Sequence, residues 1–136
     1  MAWVVDTCVV IDVLEGDPKF GHASATLLQR LLPSGLTLCP VTMVELAAAF
    51  GGDLAAQKRF LDQVGIRHTD DWNPTDTEHA YTAWAAYVAA RRGTGAGKRP
   101  VADILIGAFA LRFDGLVTRN AEDFRRWFPK LKFRVP

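Results

Sequence analysis

The sequence predicts an α/β fold, a parallel sheet covered by helices on both faces. Three observations predict it. Short β-like runs alternate along the chain with helical ones, the pattern of strand–helix–strand crossovers. Hydrophobic residues make up 49% and charged residues 23%, the balance of a globular chain rather than a disordered one. At 136 residues, with no internal repeat and no interdomain linker, the chain reads as one domain, 1–136, large enough to bury a core.

The elements follow in order. AWVVD is an apolar strand that ends at Asp6. Residues 8–15 and about 21–32 read as helices, separated at Gly16-Asp17-Pro18. LTLC, 36–39, is a short strand between Pro33-Ser34-Gly35 and Pro40. Residues 42–50 and 53–64 read as helices, stopped by Gly51-Gly52 and by Gly65. IRHT, 66–69, is a third strand and 76–92 a long helix. GTGAGKRP, 93–100, is a loop; 101–113 is an apolar helix, GLVT, 115–118, a strand, 121–127 a short helix, and KFRV, 132–135, a last strand.

Other classes are excluded early. No apolar run reaches the roughly 20 residues that cross a bilayer. MAWVVDT carries no secretory signal, so the expected location is cytoplasmic. The two cysteines, Cys8 and Cys39, sit in apolar surroundings without partners at zinc spacing and are expected as reduced thiols. GTGAGKRP is no phosphate-binding Walker loop, because Arg99 stands where Ser or Thr is required. His22, His68 and His79 are scattered and belong to no motif. Tyr81, Trp84 and Tyr87 recur at helical spacing, so packing or a subunit contact is their first reading, for Trp72 as well.

Sites in parallel α/β sheets form at the carboxyl ends of the strands. Asp6 ends the first strand, and Asp103 lies in the first turn of the helix that leads into the strand at 115–118. Glu45 falls near the start of the helix after the second strand, and Asn120 and Asp123 follow the strand at 115–118. Each has a structural alternative. Thr42 and Glu45 fit a capping box, Asp6 and Asn120 fit helix caps, and Asp103 and Asp123 suit a helix dipole. Together they point further. Carboxylates set among apolar residues such as Val101, Ile104 and Leu105 are costly unless a cation shares their space. Hard oxygen ligands suit Mg2+ or Mn2+, with Asp6 and Asp103 as the first ligands expected.

Four segments, VVDTCVVIDVL, VTMVELAAAF, VADILIGAFAL and GLVTRNAEDF, occur in that order, and with them the chain resembles the PIN-domain ribonucleases, most closely VapC-type toxins of toxin–antitoxin pairs. The resemblance implies a PIN-like α/β/α sandwich around a parallel sheet of about five strands. It also implies a metal-dependent endoribonuclease that hydrolyses RNA phosphodiesters with Mg2+ or Mn2+. Asp6, Glu45, Asp103 and Asp123 match its acidic positions, with Thr118 and Asn120 in support. Cys8 departs from the pattern, since many relatives have Asn there. The resemblance further implies a cognate antitoxin whose C-terminal segment fills the acidic groove, and a homodimer.

RNA approaching an acidic pocket needs cations around it. Residues 1–90 hold 5 Lys+Arg against 11 Asp+Glu, a balance of −6; residues 91–136 hold 11 against 4, a balance of +7; together they make the net +1. Arg91, Arg92, Lys98, Arg99, Arg112 and Arg119 flank the segments around Asp103 and Thr118 and are candidate phosphate contacts. The plain alternative is that oppositely charged faces fold against each other. Two other functions compete. A haloacid-dehalogenase-like phosphatase needs a second Asp at position 8, where Cys8 stands. A non-catalytic PIN-fold module binding RNA or protein would not need all four acids.

Overall fold

The computed structural model describes residues 1–91 and 100–136. The short strands are β1 (Trp3–Val5), β2 (Leu36–Thr37), β3 (Ile66–Arg67), β4 (Gly115–Val117) and β5 (Phe133–Arg134). All pair in parallel in the order β3-β2-β1-β4-β5, with Trp3 opposite both Leu36 and Gly115. The five strands expected from the sequence are thus borne out, each within a few residues of its expected bounds.

Between them run α1 (Thr7–Glu15), α2 (Gly21–Leu31), α3 (Pro40–Glu45), α4 (Leu54–Gln63), α5 (Pro74–Arg91), α6 (Val101–Ala110) and α7 (Ala121–Trp127). Side chains alternate across a strand, and here that alternation divides the core in two. Val4 and Leu116 face a cluster with Ala83 and Tyr87 of α5, Ile106 and Phe109 of α6, and Phe124 of α7. Trp3, Val5 and Val117 face the other cluster with Val9 of α1, Leu28 of α2 and Leu61 of α4. Helices therefore cover both faces, which is why β1 and β4 are apolar throughout.

One departure from the sequence reading bears on the site. The helix expected over 42–50 begins at Pro40, because proline's fixed φ suits the first helical position. It ends at Glu45, and residues 48–50 form a separate 3-10 turn. The chain leaves α1 at Gly16, whose φ of 58° is left-handed and whose N–H bonds back to Asp12 and Val13 carbonyls. The expected loop 93–100 falls, except for Pro100, outside the described residues. Among the described residues no helix is long and apolar enough to cross a membrane.

Candidate active site

The strand order reverses at β1. From β1 the chain goes to β2 on one side, and β4 lies on the other. Such a reversal opens a crevice at the carboxyl ends of the two central strands, where ligands bind in open α/β sheets. Asp6 and Thr118 are the residues that follow β1 and β4 there. The Asp6 N–H donates to the Val117 carbonyl at 2.9 Å, which carries the pairing of the two strands to the crevice floor.

Asp6 also caps α1, its Oδ1 accepting from the Thr7 N–H at 2.8 Å. Its Oδ2 accepts from the Thr118 hydroxyl at 2.7 Å and from the Cys8 thiol at 3.4 Å. The side chain is buried. Burial pushes the Asp6 carboxyl above the usual carboxylate range; the hydrogen bonds from Thr118, Cys8 and Thr7 pull it down, and the Glu45 charge adds to the rise. The cap reading of Asp6 is therefore correct but incomplete. An exposed Ser or Asp would cap as well without this desolvation.

Glu45 reaches the same crevice from the far end of α3. The Thr7 hydroxyl donates to Glu45 Oε1 at 2.6 Å and lies 3.1 Å from the Thr42 hydroxyl. This corrects the expected capping box. Thr42 is buried inside the helix instead of capping it, and Glu45 is the last helical residue instead of a first-turn one. A carboxylate at a helix C-terminus opposes the dipole, so helix stability does not account for its place.

Asp103 lies in the first turn of α6, and Asp123 in the first turn of α7, as expected. Both are exposed and both line one cavity of about 420 Å³, along with Tyr87, Glu122 and Trp127. The four acids thus form two pairs, Asp6 with Glu45 and Asp103 with Asp123. Among the described residues no three acidic, histidine or cysteine side chains cluster closely enough to hold a metal ion between them. Asn120 precedes α7 without a side-chain cap bond, and its N–H donates to the Thr118 hydroxyl at 3.0 Å.

Residues 3–127, which hold all of these positions, match the family described as PIN domain. The chain belongs to the PIN domain family. Its fold is also that of VapBC2 from Rickettsia felis, seen in a crystal structure bound to a DNA fragment from their promoter. That likeness has a TM-score of 0.69 at 16% identity and covers 99% of this chain and 98% of the other. At that identity it is a likeness of fold. No curated protein matches the sequence.

The basic residues of this PIN domain have uneven roles. Arg119, next to Thr118, clamps buried Asp12 of α1 through Nε and a second nitrogen at 2.7 and 3.2 Å, and lies over the Phe20 ring. Arg112 does the same to buried Asp76 of α5 at 2.8 and 2.9 Å, donates to the Asp71 carbonyl, and packs over Phe109 and Phe113. The bond to Asp76 holds the Arg112 guanidinium above even its usual high value. Both guanidiniums are engaged inside the fold, so part of the charge split is basic C-terminal residues pairing with acidic N-terminal ones. Arg91 donates to the Tyr87 hydroxyl at 2.9 Å. Arg92, Lys98 and Arg99 lie outside the described residues.

Sequence reasoning misses Thr7, whose hydroxyl ties Glu45 to the crevice, and Asp12, which anchors Arg119 beside Thr118, and it reads Thr42 only as a cap. Thr7 carried a signal, since it directly follows the cap residue. Asp12 carried a weaker one, a lone acid among the apolar residues of VVIDVL. His68 pairs with Asp62 at 2.9 Å, and His22 and His79 are exposed, so none of the three joins the PIN-domain crevice.

Proposed function

We propose that this chain is a metal-dependent endoribonuclease, the toxin of a toxin–antitoxin pair, acting as one nuclease domain over residues 1–136. PIN-domain membership supports nuclease chemistry, and the VapBC2 likeness supports a toxin-type fold. The observation that carries the reading is the buried Asp6 carboxylate at the strand-order reversal, held by three donors and facing the Glu45 charge. A buried carboxylate facing the charge of an exposed one at the mouth of the crevice fits a hard divalent cation, which offsets their repulsion.

Asp6 and Asp103 would hold Mg2+ or Mn2+, with Glu45 and Asp123 completing the acidic set. The cation supplies Lewis acidity toward the scissile phosphodiester. The protein does the rest. The Thr118 hydroxyl and Thr7 N–H fix the Asp6 carboxylate in one orientation, so little reorganisation is left for the reaction. The Thr7 hydroxyl does the same for Glu45. The Asn120 N–H fixes the direction of the Thr118 hydroxyl. Asn120 and Asp123 would orient phosphate or water. Of the candidate cations, Arg112 and Arg119 are held by buried carboxylates of the fold, so phosphate contact is assigned first to Arg91, Arg92, Lys98 and Arg99.

A cognate antitoxin would be the second partner, its basic residues entering the acidic crevice. Tyr81 and Val101 are exposed along an apolar groove between α5 and α6, which supports a homodimer. The setting that goes with an RNA substrate and an antitoxin is cytoplasmic.

The test is cleavage of RNA by the purified protein with Mg2+ or Mn2+, beside EDTA and Asp103→Ala controls. Cutting that disappears in both controls supports the reading. Cutting that survives Asp103→Ala overturns the assignment of the site.

A further inference from the structure

The cavity that Asp103 and Asp123 line runs on past them into an aromatic recess. At about 420 Å³ it falls within the roughly 300–1,000 Å³ of small-ligand sites. Trp127 forms one wall, with its ring edge-on to Tyr87 at 5.5 Å between centroids. Arg126 also lines it, its guanidinium 5.0 Å from the Trp127 ring centre. The third component is Glu122, whose carboxylate pairs with Arg125 and is 86% exposed. None of the proposed cleavage chemistry uses Trp127, Arg126 or Glu122.

Unpaired RNA bases are recognised in this way, by stacking on aromatic rings or on arginine planes and by hydrogen bonds to their Watson–Crick edges. The polar wall decides which base. An ionised carboxylate only accepts, and it has about four acceptor sites, of which the Arg125 pair takes one. Guanine alone presents two adjacent donors, N1–H and the N2 amino group, on its Watson–Crick edge. Adenine and cytosine offer one donor beside an acceptor, and uracil one donor between two carbonyls. Set against the Glu122 carboxylate, those acceptors face a negative charge, whereas guanine offers it two donors.

We infer that this recess is a base-recognition subsite for an unpaired guanine next to the scissile phosphate, with Trp127 as the stacking surface and Glu122 as the residue that reads the base. The inference rests on the nuclease reading, because it places an RNA strand across Asp103 and Asp123. Glu122 and Trp127 are specificity residues here and take no part in bond cleavage.

The test is binding, measured in EDTA so that no strand is cut. Fluorescence anisotropy would follow labelled oligouridylates carrying a single central G, A or C, with all-U as reference. The wild type is expected to bind the G-containing strand about tenfold more tightly than the others. Glu122→Gln, a change at an exposed position that leaves the fold intact, should remove that preference. Trp127→Ala should weaken all four strands by about fivefold or more, since stacking of one base is worth that much, and Trp127→Phe should restore most of the loss. Equal binding of the four strands, or a G preference that survives Glu122→Gln, overturns the inference. Cleavage with Mn2+ separates the two ideas. A guanine preference without cutting supports the subsite and sinks only the nuclease reading; cutting without any guanine preference sinks only the subsite.

Discussion

The side chains of Asp6 and Thr118 are 112 residues apart in sequence and 2.7 Å apart in space, donor to acceptor. That single bond joins the carboxyl ends of the two central strands at the point where the strand order reverses. It is also a brake on Asp6, since it favours the ionised form against burial. Removing it as Thr118→Val keeps the shape and takes away the hydroxyl. The Asp6 titration midpoint, followed by carbon-13 NMR, should then move upward. Stability should fall by about 1 kcal/mol, because the Asn120 N–H loses its acceptor as well. An unmoved midpoint would show that the hydroxyl does not set the charge state of Asp6.

The two thiols should be inert in the native protein. Burial, the largest cause for each, pushes Cys8 up to about 12 and Cys39 up to about 11. The thiolate is the reactive form, so a thiol reagent at pH 7.5 should label neither until denaturant is added. Rapid labelling of Cys8 in the folded state would contradict its contact with Asp6.

Arg119 and Arg112 act on stability before they act on any ligand. Each holds a carboxylate, Asp12 or Asp76, that is at most 3% exposed, and each is itself about three-quarters buried. Removing one partner strands a buried charge. Arg119→Ala and Arg112→Ala should therefore each cost about 3 kcal/mol in urea unfolding, and Arg112→Ala with Asp76→Ala should cost less than Arg112→Ala alone. A loss of under roughly 0.5 kcal/mol would place these pairs among ordinary surface ion pairs.

These clamps also show where sequence reading stops. The strands and most helices were legible, because apolar runs and the Gly and Pro punctuation between them report local structure. Asp6 was legible because it ends an apolar strand. Asp103 and Asp123 were placed in the right helical turns for the same reason. The sequence assigns Glu45 to the right helix but the wrong end, since Thr42 resembles a cap and Pro40 resembles a strand boundary while it opens the helix. The pairing of Arg119 with Asp12 spans 107 positions, and that of Arg112 with Asp76 spans 36. No local pattern encodes such pairs; they exist only once the sheet has brought the two halves of the chain together.

Asp6 should cost the protein stability that its function requires. In the unfolded chain an aspartate ionises near about pH 3.9. In the fold its value is raised, mainly by burial. Between those two values the folded state keeps a proton that the unfolded state has lost, so stability falls as pH rises through that window. Asp6→Asn keeps the cap on Thr7 and carries no charge. In EDTA, Asp6→Asn should match the wild type below about pH 4 and exceed it at pH 7 by on the order of 1 kcal/mol, a rise of a few degrees in Tm. A variant less stable than the wild type at every pH would mean that the Asp6 charge is already compensated within the fold.

That variant makes the most direct test of the central claim, that the Asp6 crevice is a nuclease active site. The measurement is the rate of Mn2+-dependent RNA cleavage by Asp6→Asn beside the wild type, with both melting curves recorded. A fall of about a hundredfold or more is expected in a protein that is no less stable, since a carboxylate essential to the site has been replaced by a neutral group of the same shape. A rate within a few-fold of the wild type would contradict it, and would move the chemistry away from the end of β1.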